Sequence, residues 1–475
     1  MGIRRSIPIH ISRLVPILAL MALLIPTGNH ASAASVCFGT TVTITGAGTI
    51  NGTPGNDVIY GSNNADTING KGGFDIICGR GGNDKIFSTG TTGGMMVDGG
   101  SGNDDITGID RATTSGDELL GGTGNDKVRG LGGDDLIYGG SGNDSLAGGD
   151  GYDDIHGESG NDKITGGNDD DSGWGDAGSD RMYGQAGSDH YWGGTGNDSF
   201  SMNAGNDVVY GEDDKDKIVL GSEPDQGYGG AGDDRLYGES ENDELFGNDG
   251  DDYLSGSSGD DRLTGGSGAD SLSGSTGSDF LFGNEGPDII DGGPDNDAIE
   301  GHDGADTLTG GSGDDIISGG GSGSSSNDGH DQIDGGSGDD RLSGGVDTTG
   351  NAIYGRTGDD TINGSNGADD LFGNEGNDGV FGSGGNDFVH GDDGIDNVWG
   401  GLGNDTVEGG NGDDNVFGYG NATGLGDGSD KIYGNDGDDY LDGNEGADEE
   451  DGGDGQDTCI EDYPPSGDVL INCNP

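Results

Sequence analysis

A nine-residue period runs through this chain and limits what it can fold into. Gly139-Gly140-Ser141-Gly142-Asn143-Asp144-Ser145-Leu146-Ala147 is followed directly by Gly148-Gly149-Asp150-Gly151-Tyr152-Asp153-Asp154-Ile155-His156. Two units before the first stands Gly121-Gly122-Thr123-Gly124-Asn125-Asp126-Lys127-Val128-Arg129. The unit reads Gly-Gly-x-Gly-(Asn/Asp)-Asp-x-U-x, with U a large apolar residue. We number its positions 1 to 9, so Asp144 occupies position 6 and Leu146 position 8. Every ninth residue is aspartate from Asp126 to Asp315, and again from Asp360 to Asp414. About 43 units can be traced, so the repeat is the protein.

Position 8 is apolar in unit after unit: Val128, Ile137, Leu146, Ile155, Ile164, Met182, Tyr191, Phe200, Val209, Ile218. One inward side chain per nine residues predicts a three-residue strand between six-residue turns. Two units then close one turn of a parallel coil, and residues 18 apart stack about 4.8 Å from each other. About 21 such turns make a rod of roughly 100 Å. Helices do not fit, because glycine costs each helix about 1 kcal/mol and the apolar period is not 3.6. The expected fold class is all-β, a parallel β-solenoid of nonapeptide repeats.

Composition taken alone predicts disorder: of 475 residues only 27% are hydrophobic, and 92 acidic side chains face 18 basic ones for a formal charge of -74. The strict period overrules that reading. A chain without a basic footprint does not bind nucleic acid directly, and an anionic membrane surface is disfavoured for the same reason. The charge instead asks for cations. One buried aliphatic side chain per unit is too little to offset the ordering of nine residues, several of them among the 114 glycines. Calcium fits the deficit, since it takes 6–8 hard oxygens from carboxylates and backbone carbonyls at flexible geometry. A single six-residue turn offers too few oxygens, so each ion is expected to be shared by turns 18 residues apart. Magnesium, which keeps waters in a smaller octahedral cage, fits worse. About 40 divalent ions would carry roughly +80, close to the charge of the chain.

The unit Gly-Gly-x-Gly-x-Asp-x-U-x resembles the calcium-binding nonapeptide of the repeats-in-toxin (RTX, haemolysin-type) family, whose repeats wind into a parallel β-roll. The resemblance spans about residues 52–457. It implies that the position-6 aspartates bind calcium with carbonyls of turn residues such as Gly124 and Gly142. The implied ligands are Asp57, Asp66, Asp75, Asp84 and Asp104, then Asp126, Asp135, Asp144, Asp153 and Asp162, then Asp180, Asp189, Asp198 and Asp207. They continue with Asp234, Asp243, Asp252, Asp261, Asp270, Asp279, Asp288, Asp297, Asp306 and Asp315, followed by Asp331 and Asp340. Asp360, Asp369, Asp378, Asp387, Asp396, Asp405, Asp414, Asp430 and Asp439 complete the set. Common members of the family carry an effector domain ahead of the repeats and a C-terminal export signal, and neither is recognisable here; lysis or toxicity is not inferred. Some units are damaged. Gly173 and Gly227 occupy the apolar slot, Asp169 and Asp214 replace a turn glycine, and Glu450 stands where an apolar residue belongs. Weaker metal sites and local fraying are expected around 166–176, 211–228 and 448–451.

Arg4, Arg5 and Arg13 precede an apolar run ending at Ile25, and Ala31-Ser32-Ala33 fits a small-residue cleavage site. Residues 1–33 are therefore expected to be a signal peptide and the protein to be secreted and extracellular. No later apolar run is long enough to span a bilayer. An N-terminal cap is expected over 34–53, the repeat array over 54–457 and a C-terminal cap over 458–475. Small insertions are expected near 88–94, 108–116, 319–326, 344–350 and 418–427. The four cysteines allow three pairings, but a rod keeps its ends apart and a disulfide needs Cα atoms within roughly 7 Å. Cys37 with Cys78 and Cys459 with Cys473 are expected, one staple at each end. Zinc is the weaker alternative, as no Cys-x-x-Cys occurs.

Position 9, taken every 18 residues, reads Tyr138, His156, Trp174, Trp192, Tyr210, Tyr228, Phe246, Thr264, Phe282. One outer face therefore carries an aromatic stripe of about 40 Å. It has two readings. Aromatic residues stabilise adjacent strands by stacking; alternatively Tyr138, Trp174, Trp192, Tyr210, Tyr228 and Phe246 form a docking surface for a polysaccharide or a cell-surface or matrix protein. No catalytic pattern stands out. Acidic residues are everywhere, so a carboxylate pair carries no information. His156, His190, His302, His330 and His390 are scattered, and no His-Glu-x-x-His or Gly-Lys-(Ser/Thr) loop occurs. An EF-hand needs flanking helices, and ice binding needs a regular Thr row; both are missing. The expectation is a non-enzymatic, secreted protein that folds on binding many calcium ions, with a structural or adhesive role. The alternative is a repeat module of a polysaccharide-acting or polysaccharide-binding protein.

Overall fold

The computed structural model describes residues 36–90, 93–110, 116–320, 329–346, 348–419, 428–444, 446–460 and 467–473. The expected signal peptide lies outside them, as do parts of both caps and of the insertions. Every regular element among the described residues is a β-strand. Successive strands alternate between two sheets. In sheet I, Lys127–Gly132, Ser145–Asp150 and Lys163–Asn168 lie side by side with Val128, Leu146 and Ile164 in register. In sheet II, Leu136–Ser141, Asp154–Ser159 and Ser172–Ala177 do the same. Within the uninterrupted runs each partner is 18 residues away and parallel, and among the described residues each sheet contains 23 strands. The fold is an all-β parallel β-solenoid in the form of a β-roll.

The strands are longer than the apolar period predicts. Most run for six residues, as in Ser145–Asp150, and three-residue strands such as Lys85–Phe87 and Thr361–Asn363 are the minority. Glycine is a poor strand residue by propensity, which hides positions 1 and 2 from a sequence reading. Here position 1 points inward and is glycine in most units, with Met202 and Leu220 as exceptions. A Cβ on Gly139 would lie 2.6 Å from Oδ2 of Asp144, and one on Gly148 would lie 2.0 Å from Oδ2 of Asp153. The period-2 alternation therefore continues past position 9: positions 8 and 1 face the interior, while 7, 9 and 2 face outward.

The interior is filled by one row of apolar side chains from each sheet, Leu146, Ile164 and Met182 facing Ile137, Ile155 and Tyr191. The damaged units keep full strands, among them Ser172–Ala177, Lys217–Ser222 and Gln226–Ala231. Larger neighbours close their gaps. Tyr191 is fully buried and leans over Gly173, so that a Cβ there would meet its ring at 2.3 Å. Leu220, in place of a position-1 glycine, packs with Leu236 and Leu245 over Gly227. Glu450 is fully buried within the strand Glu449–Asp451, and its Oε1 accepts the Gly443 N–H at 3.0 Å. Burial raises its pKa to about 7.

Insertions leave the stacking intact. Asp104 and Asp126 are 22 residues apart and Asp315 and Asp340 are 25 apart, yet each pair stacks as neighbours do elsewhere. At the N-terminus Val36–Cys37 and Thr40–Thr41 form a short antiparallel pair, and Cys37 bonds to Cys78. At the other end Cys459 bonds to Cys473. Both pairings are those the rod geometry requires.

The Gly173 and Tyr191 pair gives a test. Tyr191→Ala should cost about 3–5 kcal/mol, and Gly173→Leu alone should also destabilise by overpacking. The double variant Gly173→Leu/Tyr191→Leu, which restores the ordinary aliphatic slots, should be more stable than either single variant. Denaturant unfolding in calcium measures all three.

Candidate metal centre

The position-6 aspartate stands just before the strand and turns its side chain into the coil. Asp144 is 3% exposed and Asp153 1%, and the same holds along the array. Its two oxygens differ. Oδ1 accepts a hydrogen bond from the backbone N–H of the aspartate one turn earlier: Asp126 N–H to Asp144 at 2.7 Å, Asp144 N–H to Asp162 at 2.7 Å, Asp162 N–H to Asp180 at 2.6 Å. The carbonyl of Asp144 accepts the Lys163 N–H at 2.8 Å, so each aspartate joins adjacent turns twice. Oδ2 is buried and has no hydrogen-bond partner at Asp75, Asp84, Asp104, Asp126, Asp144, Asp162, Asp198 and many more. A buried carboxylate oxygen left alone costs free energy unless a donor or a cation reaches it.

The glycines shape the space around that oxygen. Position 2 is left-handed at Gly140 (φ 108°) and position 4 at Gly142 (φ 126°). A Cβ on Gly140 would lie 2.0 Å from the carbonyl oxygen of Gly122, and one on Gly142 would lie 1.9 Å from that of Gly124. Carbonyls of one turn thus abut the α-carbons of the next. Where a side chain keeps the left-handed conformation at these positions, φ is drawn in, to 67° at Glu158 and 72° at Asp169. The donor set is one carboxylate oxygen with nearby backbone carbonyls, which are the hard oxygens calcium takes. Among the described residues no three acidic, histidine or cysteine side chains converge on one point. An ion here must therefore draw on backbone carbonyls, as the turns permit.

Four aspartates depart from the pattern. Oδ2 accepts the backbone N–H of position 2 at Asp57 (from Thr53, 2.5 Å), Asp66 (from Ser62, 2.7 Å), Asp117 (from Ile109, 2.7 Å) and Asp369 (from Ser365, 2.7 Å). In none of these units is position 2 left-handed. A donor occupies the place where a cation would bind. Asp57, Asp66 and Asp369 are among the residues the repeat pattern marks as ligands, and their geometry differs from the rest. Conversely, Asp171, Asp216, Asp225, Asp448 and Asp457, outside the implied ligand set, sit in the same buried slot, as does Asp117. Oδ2 of Asp171, Asp216, Asp225 and Asp457 lacks a hydrogen-bond partner. The strict nine-residue spacing could have identified them.

Position 5 has a role that its Asn/Asp preference hints at. The Asn143 N–H donates to Asn125 Oδ1 at 2.9 Å and the Asn161 N–H to Asn143 Oδ1 at 3.0 Å. This second ladder runs in the opposite direction to that of position 6.

The aromatic stripe is a stack. Successive centroids are 4.8 Å apart for Tyr138 and His156, 4.3 Å for His156 and Trp174, and 5.0 Å for Trp174 and Trp192. Tyr210 and Tyr228 follow at 4.8 Å, Tyr228 and Phe246 at 4.9 Å. All six interplanar angles are between 4° and 10°. Faces between adjacent rings are occupied by one another, which is the strand-stabilising arrangement. A similar stack, Phe381, Trp399 and Phe417, lies further along sheet II.

The profile of the RTX calcium-binding nonapeptide repeat (4 copies) matches residues 43–90, 112–200, 203–226, 228–322, 325–416 and 425–459, taking overlapping matches together. No curated protein matches the chain.

Burial sets the electrostatics. It raises the pKa of Asp144 to about 6, of Asp153 to about 8 and of Asp171 to about 9, against a lowering by the backbone N–H each accepts and a further rise from neighbouring carboxylates. The calcium-free coil thus holds protons more tightly than the unfolded chain. That contribution is full below about pH 4, the unfolded value, and is lost as pH rises through about 6–9. Calcium-stripped protein should accordingly show more β-structure by far-UV circular dichroism at pH 5 than at pH 8. A signal that grows with pH would contradict the buried-carboxylate picture.

Proposed function

The chain belongs to the RTX calcium-binding nonapeptide repeat family, and on that premise we propose that it is a secreted protein whose β-roll folds by filling its aspartate ladder with calcium. Family membership implies calcium binding. The single observation that carries the finer reading is the row of buried, unpartnered Oδ2 oxygens. The ligands are the position-6 aspartates marked by the repeat, without Asp57, Asp66 and Asp369 and with Asp171, Asp216, Asp225 and Asp457. Carbonyls of turn residues such as Gly124 and Gly142 complete each site. When bound, calcium supplies the positive charge that Oδ2 lacks and links turns 18 residues apart. The chain's own part is to aim the oxygens: Oδ1 is fixed by the N–H of the preceding turn, and the left-handed glycines clear the space.

The role that follows is structural or adhesive. At low calcium the acidic array stays unfolded; outside the cell, where extracellular modules bind calcium at about 10⁻⁴–10⁻³ M, it becomes a rod. The reading is a non-enzymatic one, and the stacked rings favour strand stabilisation over a sugar platform.

Circular dichroism with and without a chelator, combined with metal counting, tests this. A β-signal that appears only with calcium, at a stoichiometry of tens of ions, is expected. A fold that survives calcium removal at neutral pH, or one or two ions per chain, would overturn it. Within the array, Asp162→Asn should lower the bound calcium, while Asp66→Asn, already capped by Ser62, should leave the count unchanged.

A further inference from the structure

Between residues 118 and 249 the strands of the two outer faces differ in charge. Acidic residues outnumber basic ones 92 to 18 in the chain, yet along sheet I the basic residues gather at position 7. Lys85, Lys127, Lys163, Arg181, Lys217 and Arg235 all open their strands there, and all are exposed. Among the described residues none of the six lies within ion-pair distance of a carboxylate, although Arg129, Lys215 and Arg356 each do. Lys163 and Lys217 instead rest over the rings of Tyr183 and Tyr237, at 5.2 and 5.7 Å. From Lys127 to Ser240, sheet I strands hold six basic residues and two acidic ones, Asp150 and Glu239.

Sheet II is the reverse. Its strands from Glu118 to Asp249 present Glu118, Asp154, Glu158, Asp176, Glu212 and Glu244 on the outward positions and contain no lysine or arginine. The same strands carry the aromatic stack from Tyr138 to Phe246. Cations without carboxylate partners in so acidic a chain call for an anionic partner, and the other side of the same molecule provides one at the same strand spacing.

We propose that this protein associates laterally with a second copy of itself, sheet I of one rod against sheet II of the next. Both rows repeat with the stacking of the strands, so basic and acidic side chains meet in register along the rods. The contact is heterologous, since each copy still offers one free face of each sign, and such contacts extend into open layers instead of closing as a dimer. Pairing of exposed charges is screened by salt. The inference rests on the calcium reading in one respect: with the buried carboxylates neutralised, the outer faces set the field between rods.

The test uses the full chain in calcium, with folding checked by circular dichroism and association followed by sedimentation velocity. Concentration-dependent large species are expected at about 20 mM salt and their loss at about 500 mM. The variant K163E/R181E/K217E/R235E should fold and bind calcium as before but stay monomeric; K163Q/R181Q/K217Q/R235Q repeats the test without added negative charge. E118K/D154K/E244K should also be monomeric alone, and mixing it with the sheet I charge-reversal variant should restore association. A wild-type chain that is folded but monomeric at low salt would overturn the proposal. So would variants that still associate, or a wild-type chain that binds an anionic polysaccharide without self-association. A chain that fails to fold in calcium would overturn the calcium reading first, and is seen separately in the dichroism.

Discussion

One carboxylate does two jobs in every turn of this rod. Oδ1 of each position-6 aspartate accepts an N–H from the turn before, which sets the 18-residue register. Oδ2 is then held inside the coil, away from water and, in most units, away from any donor. A chain cannot repeat that arrangement tens of times without a source of positive charge. The glycine-rich turn follows from it as well. Position 1 is glycine in most units because the carboxylate lies against it, and positions 2 and 4 are mostly left-handed, so that carbonyls of successive turns can stack.

The exceptions have the same physical basis. Thr53, Ser62 and Ser365 adopt dihedrals outside the left-handed region, and their N–H groups satisfy the second oxygen. Two of these capped units are the first in the array, next to the Cys37–Cys78 disulfide. The N-terminal end is thus held by hydrogen bonds and a covalent link, where the middle would rely on the proposed ion. At Gly173 and Gly227 the coil tolerates a missing core side chain, because a neighbouring Tyr191 or Leu220 occupies the volume. In a solenoid each layer contacts only its neighbours, so one oversized residue can repair the next turn.

Much of this was legible in the residues. The nine-residue spacing led directly to a parallel coil with 18-residue layers, and the rod shape selected the cysteine pairs. The stripe from Tyr138 to Phe246 was visible as a period before it was visible as a stack. Strand length was misjudged because Gly139 and Gly140 read as turn, when the Asp144 side chain forces the first of them into the strand. The capped oxygens of Asp57, Asp66 and Asp369 were hidden because they depend on the dihedral of position 2, which the pattern of residue types does not specify. Asp171, Asp216 and Asp225 stand in units with defects elsewhere, yet the spacing keeps them in place. Fraying there was expected from the glycine in the slot; the compensating Tyr191 and Leu220 are one or two units away in sequence and adjacent in space.

The central claim is that the second carboxylate oxygen of the ladder holds calcium and that a backbone N–H can replace the ion. Anomalous diffraction from crystals grown in calcium addresses both parts at once. The account predicts peaks beside Oδ2 of Asp126, Asp144 and Asp162 and their counterparts along the array, and none beside Asp57, Asp66 and Asp369. Ladder oxygens without adjacent peaks, or equal peaks at the capped and uncapped aspartates, would contradict it.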